Sequence, residues 1–345
     1  MFEYTGNMHI HSRYSDGSAT ISQIRNYAKQ AGLDFIIVTD HFNMKAASQE
    51  GYKDGLLMLV GMEINEAHNH YLALDIDQVV KNNTEHPQEV IDAVNQQEGI
   101  GIIAHPLEYA SNFLNEGNVY NWVDWSVEGF QGIEIWNLLS QWKGSISNFY
   151  KALYYILNPQ GALIGPYPQT MRRFDDYQRQ GKRIVACGGA DAHAPGLRLG
   201  PFYFKIISYP FSFRSINMHT LLPQPLSGNL ATDKKMIYDA LRNASCWVAN
   251  DYFKNSRGFS FTLCDDRQIW NMGEDVPWQE NLQCKVSTPY RARVKLYKNG
   301  ELAAESEGRE HLFQGITRGI YRVEAYLRYR CKYRPWIFTN SIWVN

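Results

Sequence analysis

The sequence predicts an α/β protein: a closed β/α barrel over about residues 1–255, followed by a small all-β sandwich over 256–345. Three observations carry that prediction. Short apolar strands alternate with helical stretches through the first two-thirds of the chain, the pattern of a parallel sheet with crossover helices. Asp40, His41, Glu63, His105, Asp191 and His193 all fall just after apolar strands. In a closed barrel those positions ring one end, where such folds keep their chemistry, whereas an open sheet spreads them along an edge. From about Phe259 the helices stop, and extended segments bounded by turns take over.

Taken in order, Asn7 to His11 is a short extended segment. Thr20 to Ala31 reads as a helix with Ile21, Ile24, Ala28 and Ala31 on one face; Thr20 and Gln23 form a capping box and Gly32 stops it. Phe35 to Val38, Leu56 to Val60 and Tyr71 to Ile76 are apolar strands. Pro87 opens a helix whose inner face is Val90, Ile91 and Val94. Ile100 to Ala104, Gly132 to Trp136 and Ile184 to Cys187 follow as strands, then a helix over Lys234 to Asn243 and a strand over Cys246 to Ala249. Residues 138–180 interrupt the alternation with an aromatic-rich insertion (Trp142, Phe149, Tyr154, Tyr155, Tyr167, Phe174), which either covers the barrel mouth or packs as surface helices. In the last third, Ala292 to Tyr297, Ile320 to Tyr329 and Trp336 to Val344 are strands, and Asn299-Gly300 is a hairpin turn. Arg322, Arg328, Arg330, Lys332 and Arg334 crowd one part of this region, where a solvated strand face is expected rather than a basic binding face.

Lysine and arginine number 34 against 35 acidic residues, so charge gives no argument for nucleic acid or a membrane as the main partner. No apolar run reaches about eighteen residues, so no transmembrane helix is expected. Met1 to His11 lacks the basic and then apolar pattern of a signal peptide. Cys187, Cys246, Cys264, Cys284 and Cys331 are odd in number and scattered, with no CxxC; reduced, buried thiols in a cytoplasmic protein are expected.

The chemistry-bearing residues come in five groups. His9-Ile10-His11 places two imidazoles two residues apart on an extended segment, so that both face one metal ion; Ser15-Asp16-Gly17 follows in a turn. Thr39-Asp40-His41 sets a histidine at the end of a buried strand, with Asp40 available to fix its tautomer from behind. Gly61-Met62-Glu63 ends the next strand, and His70 opens the one after; His70 is preferred to His68 because it abuts the apolar run. Ala104-His105-Pro106 leaves His105 at a strand end that Pro106 terminates. Gly188-Gly189-Ala190-Asp191-Ala192-His193 puts a carboxylate and an imidazole on one face after two glycines that permit close backbone approach. Any one group arises by chance; all of them at corresponding places in successive βα units is a stronger signal.

As a set, these motifs resemble the PHP family, named for polymerase and histidinol phosphatase domains, over roughly Asn7 to Asp251. The resemblance implies a distorted seven-stranded β/α barrel and a three-metal site, with every ligand position filled. By it, His9, His11, Glu63 and Asp191 hold one divalent ion; Glu63, His70 and His105 a second; Asp16, His41 and His193 a third. The ions would be manganese, iron or zinc, all of which suit mixed imidazole and carboxylate ligands. Glu63, Asp191 and His193 are the expected catalytic residues, and the β-rich tail is similar to an extension that some members carry.

The expected reaction is hydrolysis of a phosphate ester, of a small molecule or nucleotide, by a metal-bound hydroxide. No GxSxG or paired serine or cysteine nucleophile is present. Arg198, Arg13 and Arg173, with Arg172 beside it, are the candidates to bind phosphate, and His219 is expected to be a packed structural histidine rather than a late acid. Two alternatives stand. Amidohydrolases also begin with His-x-His, but a third metal group built on Asp16 and His41 favours phosphate. A binding protein using the β-rich tail would leave nine filled positions unexplained. Aromatics on the insertion could stack nucleic-acid bases, a minor option beside packing.

Overall fold

The computed structural model describes residues 1–111, 117–199 and 202–345, with side chains except at 197–199 and 202–205. The chain runs β1 (Phe2–Ile10), α1 (Ile21–Gln30), β2 (Phe35–Val38), β3 (Gly51–Lys53), β4 (Leu56–Val60), β5 (Met62–Ile64), β6 (Tyr71–Leu74), α2 (Pro87–Asn95), β7 (Ile100–Ile103) and β8 (Gly132–Asn137). The insertion is helical, with α3 (Leu138–Ser145), α4 (Phe149–Leu157) and α5 (Pro168–Arg179). There follow β9 (Val185–Gly189), β10 (Gly196–Leu199), β11 (Phe202–Lys205), α6 (Tyr209–Ser212), β12 (Ile216–Leu222), α7 (Leu230–Arg242) and β13 (Cys246–Asn250). The remainder is β14 (Ser260–Cys264), β15 (Ile269–Trp270), β16 (Asp275–Val276), β17 (Gln283–Lys298), β18 (Glu301–Phe313), β19 (Gly319–Tyr329), β20 (Lys332–Thr339) and β21 (Ile342–Val344).

Local signals place several boundaries. Thr20 caps α1 through its side chain while Gln23 reaches back to the Thr20 amide, the reciprocal box its sequence encodes. Pro87 occupies the first turn of α2, where its missing N–H costs nothing, and Val90, Ile91 and Val94 face inward. Asn299 and Gly300 both take positive φ (51° and 83°), the turn that matches strand twist, and join β17 to β18.

The expected closed barrel is not formed. Among the described residues the strands fall into a fourteen-stranded network, a five-stranded sheet ordered β5-β6-β7-β8-β9, and the β10-β11 hairpin. The first network carries β12-β1-β2-β4 as one wall of the site and the five-stranded sheet forms the other. Single parallel bridges, Ile10 to Ala192 and His41 to Glu63, stitch the walls at the end that carries the motifs. At the seam between β1 and β9, His9 and Asp191 take left-handed φ (63° and 49°), which breaks an even ladder there. Pairing is also not all parallel. Six residues separate β5 from β6, too few for a crossover, so β6 runs antiparallel to both β5 and β7.

The C-terminal third is β-rich, as expected, but it makes no sheet of its own. β20 pairs antiparallel with β13, so the ladder of the first wall continues into β19, β17 and β14. Arg322 is not solvated: it is buried and forked onto Asp175 of α5 at 2.6 and 2.8 Å. All five cysteines are free; four are buried and Cys331 is exposed. No helix of the described residues is long and apolar enough to cross a membrane.

Candidate metal centre

Strand ends deliver the polar residues to one place. His9 and His11 leave the end of β1, Asp16 follows in a turn, His41 lies just past β2, Glu63 is in β5, His70 precedes β6, His105 follows β7, and Asp191 and His193 follow β9. All but Asp16, His41 and His193 are buried. The structure brings the nine together in three overlapping groups: His9, His11, Glu63 and Asp191; Glu63, His70 and His105; and His11, Asp16, His41 and His193. Within each group the donor atoms lie within 4.8 Å of one another. His11 belongs to two groups because its Nε2 is 3.0 Å from Glu63 while its Nδ1 is 3.6 Å from Asp16.

Glu63 is the hub. Its Oε2 is 2.9 Å from His9 Nε2, and its Oε1 is 2.7 Å from His70 Nδ1 and 3.2 Å from His105 Nε2. Asp191 Oδ1 is 3.1 Å from His193 Nδ1 and 3.4 Å from His11 Nε2. The backbone is strained at three of these residues: His9, His105 and Asp191 take φ of 63°, 23° and 49°, conformations that persist only where the surroundings impose them. Gly17 permits the Asp16 turn, since a Cβ there would collide with the His11 carbonyl and lie 2.7 Å from Tyr209 Oη.

Charge is held tightly. Burial opposes the negative charge of Glu63 and Asp191, yet the surrounding imidazoles, His9 first, keep both well below the usual carboxylate range. Burial likewise opposes protonation of the histidines. Asp191 and Asp16 nevertheless raise His193 to about 10, and Glu63 and Glu108 raise His105 to about 9. His41 differs: burial dominates and lowers it to about 4.

The donor set fits divalent metal ions. Both ring nitrogens of His11, and Nδ1 of His41 and His105, are buried without a hydrogen-bond partner, a cost that ligation relieves. Tautomers are fixed from outside: His70 Nε2–H donates to the Glu66 carbonyl (3.2 Å) and His193 Nδ1–H to the Asp191 carbonyl (2.9 Å), which turns the other nitrogen of each ring inward.

The other expected residues divide. Asp40 does not hold His41. Its carboxylate accepts from the Ser12 amide (2.7 Å), Ser12 Oγ (2.7 Å) and Ser15 Oγ (2.6 Å), so it secures the loop that carries His11 and Asp16. His68 stands apart, 4.0 Å from Glu85. Arg13 donates to the Ser18 carbonyl and Arg173 lies over the Trp125 ring; neither lines the site, and the Arg198 side chain lies outside the described residues. His219 is packed between Glu3 and Asp251, away from the groups. The groups open into a cavity of about 740 Å³, whose wall includes Phe42, Tyr120 and, from α3, Leu139, Trp142 and Lys143. The first helix of the insertion therefore forms part of the mouth. Lys143 is the one lysine or arginine on that wall among the described residues, and composition alone could not distinguish it from other surface lysines.

Six imidazoles and three carboxylates gathered at strand ends under a cavity define an α/β protein with a donor set suited to metal ions. The sequence pattern of the PHP domain matches residues 7–180, half of the chain, and the chain belongs to that family. No protein of curated function matches it. Among solved structures it is similar to a two-domain protein from Bacteroides vulgatus containing a predicted PHP-like metal-dependent phosphoesterase (14% identity, 99% of this chain, 95% of that one, TM-score 0.45). It is also similar to a protein provisionally named a metal-dependent phosphoesterase from Bifidobacterium adolescentis (15%, 58% and 92%, 0.37). A third is an amidohydrolase from Chromobacterium violaceum with bound sulfate and no metal (16%, 59% and 93%, 0.33).

Proposed function

We propose that the chain hydrolyses a small-molecule phosphomonoester at a three-metal centre. The observation that supports this reading is the third group: His11, Asp16, His41 and His193 converge beside the two groups that share Glu63, so the cavity floor would offer three adjoining seats for divalent ions. His9, His11, Glu63 and Asp191 would hold one ion, Glu63, His70 and His105 another, and Asp16, His41 and His193 the third. When bound, manganese, iron or zinc would supply a water that is nucleophilic near neutral pH and a positive seat for phosphoryl oxygens.

The protein's own residues do the rest. Glu63 spans two groups with its two oxygens, and Asp191 touches both His11 of the first and His193 of the third, so these carboxylates fix the spacing of the seats. Imidazoles whose outer nitrogens are tied to carbonyls cannot turn away. Lys143 would meet a phosphate oxygen or another anionic group of the ester from the cavity wall. Phe42, Leu139 and Trp142 would flank the leaving group and limit water.

The test pairs metal analysis by mass spectrometry with turnover on a panel of phosphomonoesters, for wild type and Asp191→Ala. About three ions per chain with turnover, and both lost in the variant, is the expected result. Metal-loaded protein that cleaves an amide or lactone but no phosphate ester would move the chain to amidohydrolase chemistry. Protein that takes up no manganese, iron or zinc would sink the reading altogether.

A further inference from the structure

Glu134 is a charged residue in the middle of an apolar strand, flanked by Ile133 and Ile135 on β8, and it is 1% exposed. A carboxylate so placed persists only if donors surround it. Three do. His9 Nδ1 lies 3.0 Å from Oε1 and 3.3 Å from Oε2; the His105 backbone N–H reaches Oε2 at 2.8 Å, and Asn137 Nδ2 reaches it at 2.9 Å. Asn137 is itself held, because its Oδ1 accepts from the Ser140 amide at the start of α3. Room for the contact comes from Gly189 on β9, where a Cβ would strike Glu134 Oε1 and lie 2.8 Å from His9 Cβ.

We infer that Glu134 is a positioning residue for two of the three metal groups at once, an inference that rests on the function proposed above. A carboxylate only accepts, so Glu134 keeps a proton on His9 Nδ1; with a divalent ion seated between Nε2, Glu63 (2.9 Å) and Asp191 (3.5 Å), Nε2 would be the nitrogen that gives up its proton and ligates. The same carboxylate anchors the backbone of His105, a residue at strained φ, and so sets where that imidazole meets Glu63. It touches no member of the Asp16, His41 and His193 set. One side chain thus joins β1, the end of β7 and β8 across the seam between the two walls.

Glutamine in its place cannot satisfy this arrangement. Its amide would present one NH₂ to a site where every neighbour is a donor, so either the His9 contact or the His105 and Asn137 contacts turn repulsive. The experiment measures manganese and zinc affinity by competition with a chromophoric chelator for wild type, Glu134→Gln and Glu134→Asp, together with the ¹⁵N shifts of the His9 ring. The expected result is that Glu134→Gln weakens one or two of three binding events by about 10- to 100-fold, as loss of an outer carboxylate partner of a ligating histidine does. Glu134→Asp should recover part of this, and the ¹⁵N shifts of the His9 ring should change in the glutamine variant, whose neutral amide replaces the carboxylate at Nδ1. A merely structural Glu134 would lower the melting temperature of metal-free protein yet leave chelator competition and the His9 tautomer unchanged, and that result overturns the inference. Wild type that binds no metal overturns the function itself, a separate outcome. If Glu134→Gln does not fold, the aspartate variant decides the matter by the same two readouts.

Discussion

A histidine buried between two carboxylates holds its proton more firmly than water can. His219 Nδ1 is 2.7 Å from Glu3 and its Nε2 is 2.9 Å from Asp251, with Ser256 Oγ at 3.0 Å and the ring stacked on Trp247. Burial disfavours the charge, but Asp251 and then Glu3 outweigh it and raise the pKa to about 9. The folded value lies above the unfolded one near 6.5, so this contact stabilises fully below about pH 6.5, and the contribution is lost as pH rises through 9. The total is about 3 kcal/mol. In urea titrations, the stability gap between wild type and His219→Gln should shrink by about that amount from pH 6 to pH 10. A gap that does not move with pH contradicts the account. The comparison must be a difference, because His105 and His193 also titrate at raised values in metal-free protein. At this scale the sequence was informative where a polar residue follows an apolar run, as at His41, Glu63, His105, Asp191 and His193, where it abuts the start of one, as at His70, or where two histidines recur two apart, as at His9 and His11 with Asp16 in the turn beyond. Glu134 lacks any such mark. Set inside Gly132 to Asn137, it reads as an ordinary strand residue, and only the approach of His9 from another strand gives it a role.

Elements were legible where local chemistry decides and obscure where a distant partner does. The capping box of α1, Pro87 in α2 and the Asn299-Gly300 turn are local, and each lies where the sequence puts it. The antiparallel course of β6 and the fate of Arg322 depend on what arrives from elsewhere. α5 illustrates this. Its Asp175 receives a two-pronged bond from Arg322 on β19, and Glu324 takes a third donor of the same guanidinium at 2.7 Å. With the ions removed from water, loss of one partner strands the other, which costs about 3–5 kcal/mol, whereas replacing both by apolar groups is far less harmful. Arg322→Met alone should therefore lower stability by that much in denaturant titration; adding Asp175→Leu should recover part of the loss, and adding Glu324→Gln as well should recover most of it, because Glu324 is the other carboxylate the guanidinium neutralises. If the triple variant is no better than the single, the cluster stabilises through something other than mutual neutralisation.

At the scale of the molecule, the site depends on two walls that are not joined by a closed ladder, so other contacts must hold them in register. Asn340, between β20 and β21, is the clearest. Its Oδ1 accepts from the Ala186 amide on β9 (2.7 Å), and its Nδ2 donates to the Ala186 carbonyl (3.1 Å) and the Cys246 carbonyl on β13 (2.9 Å). One C-terminal side chain thus bonds both walls behind Asp191 and His193. Trp336, fully buried, donates to the Lys254 carbonyl, and Ile337 to Thr339 pair with the edge of β13. A chain ending at residue 255 would expose that edge and leave the Ala186 amide and carbonyl unpaired inside the protein, at about 1–3 kcal/mol for each buried group. The prediction is that such a fragment, expressed alone, aggregates or fails to fold, and that the full chain unfolds in a single transition reported alike by tryptophan fluorescence and far-ultraviolet circular dichroism. The alternative is equally concrete. A soluble, monomeric fragment with a cooperative melt and undiminished metal uptake would mean that the β-rich third adds a separate domain to a self-sufficient site, and that Asn340 only decorates a register the two walls already keep.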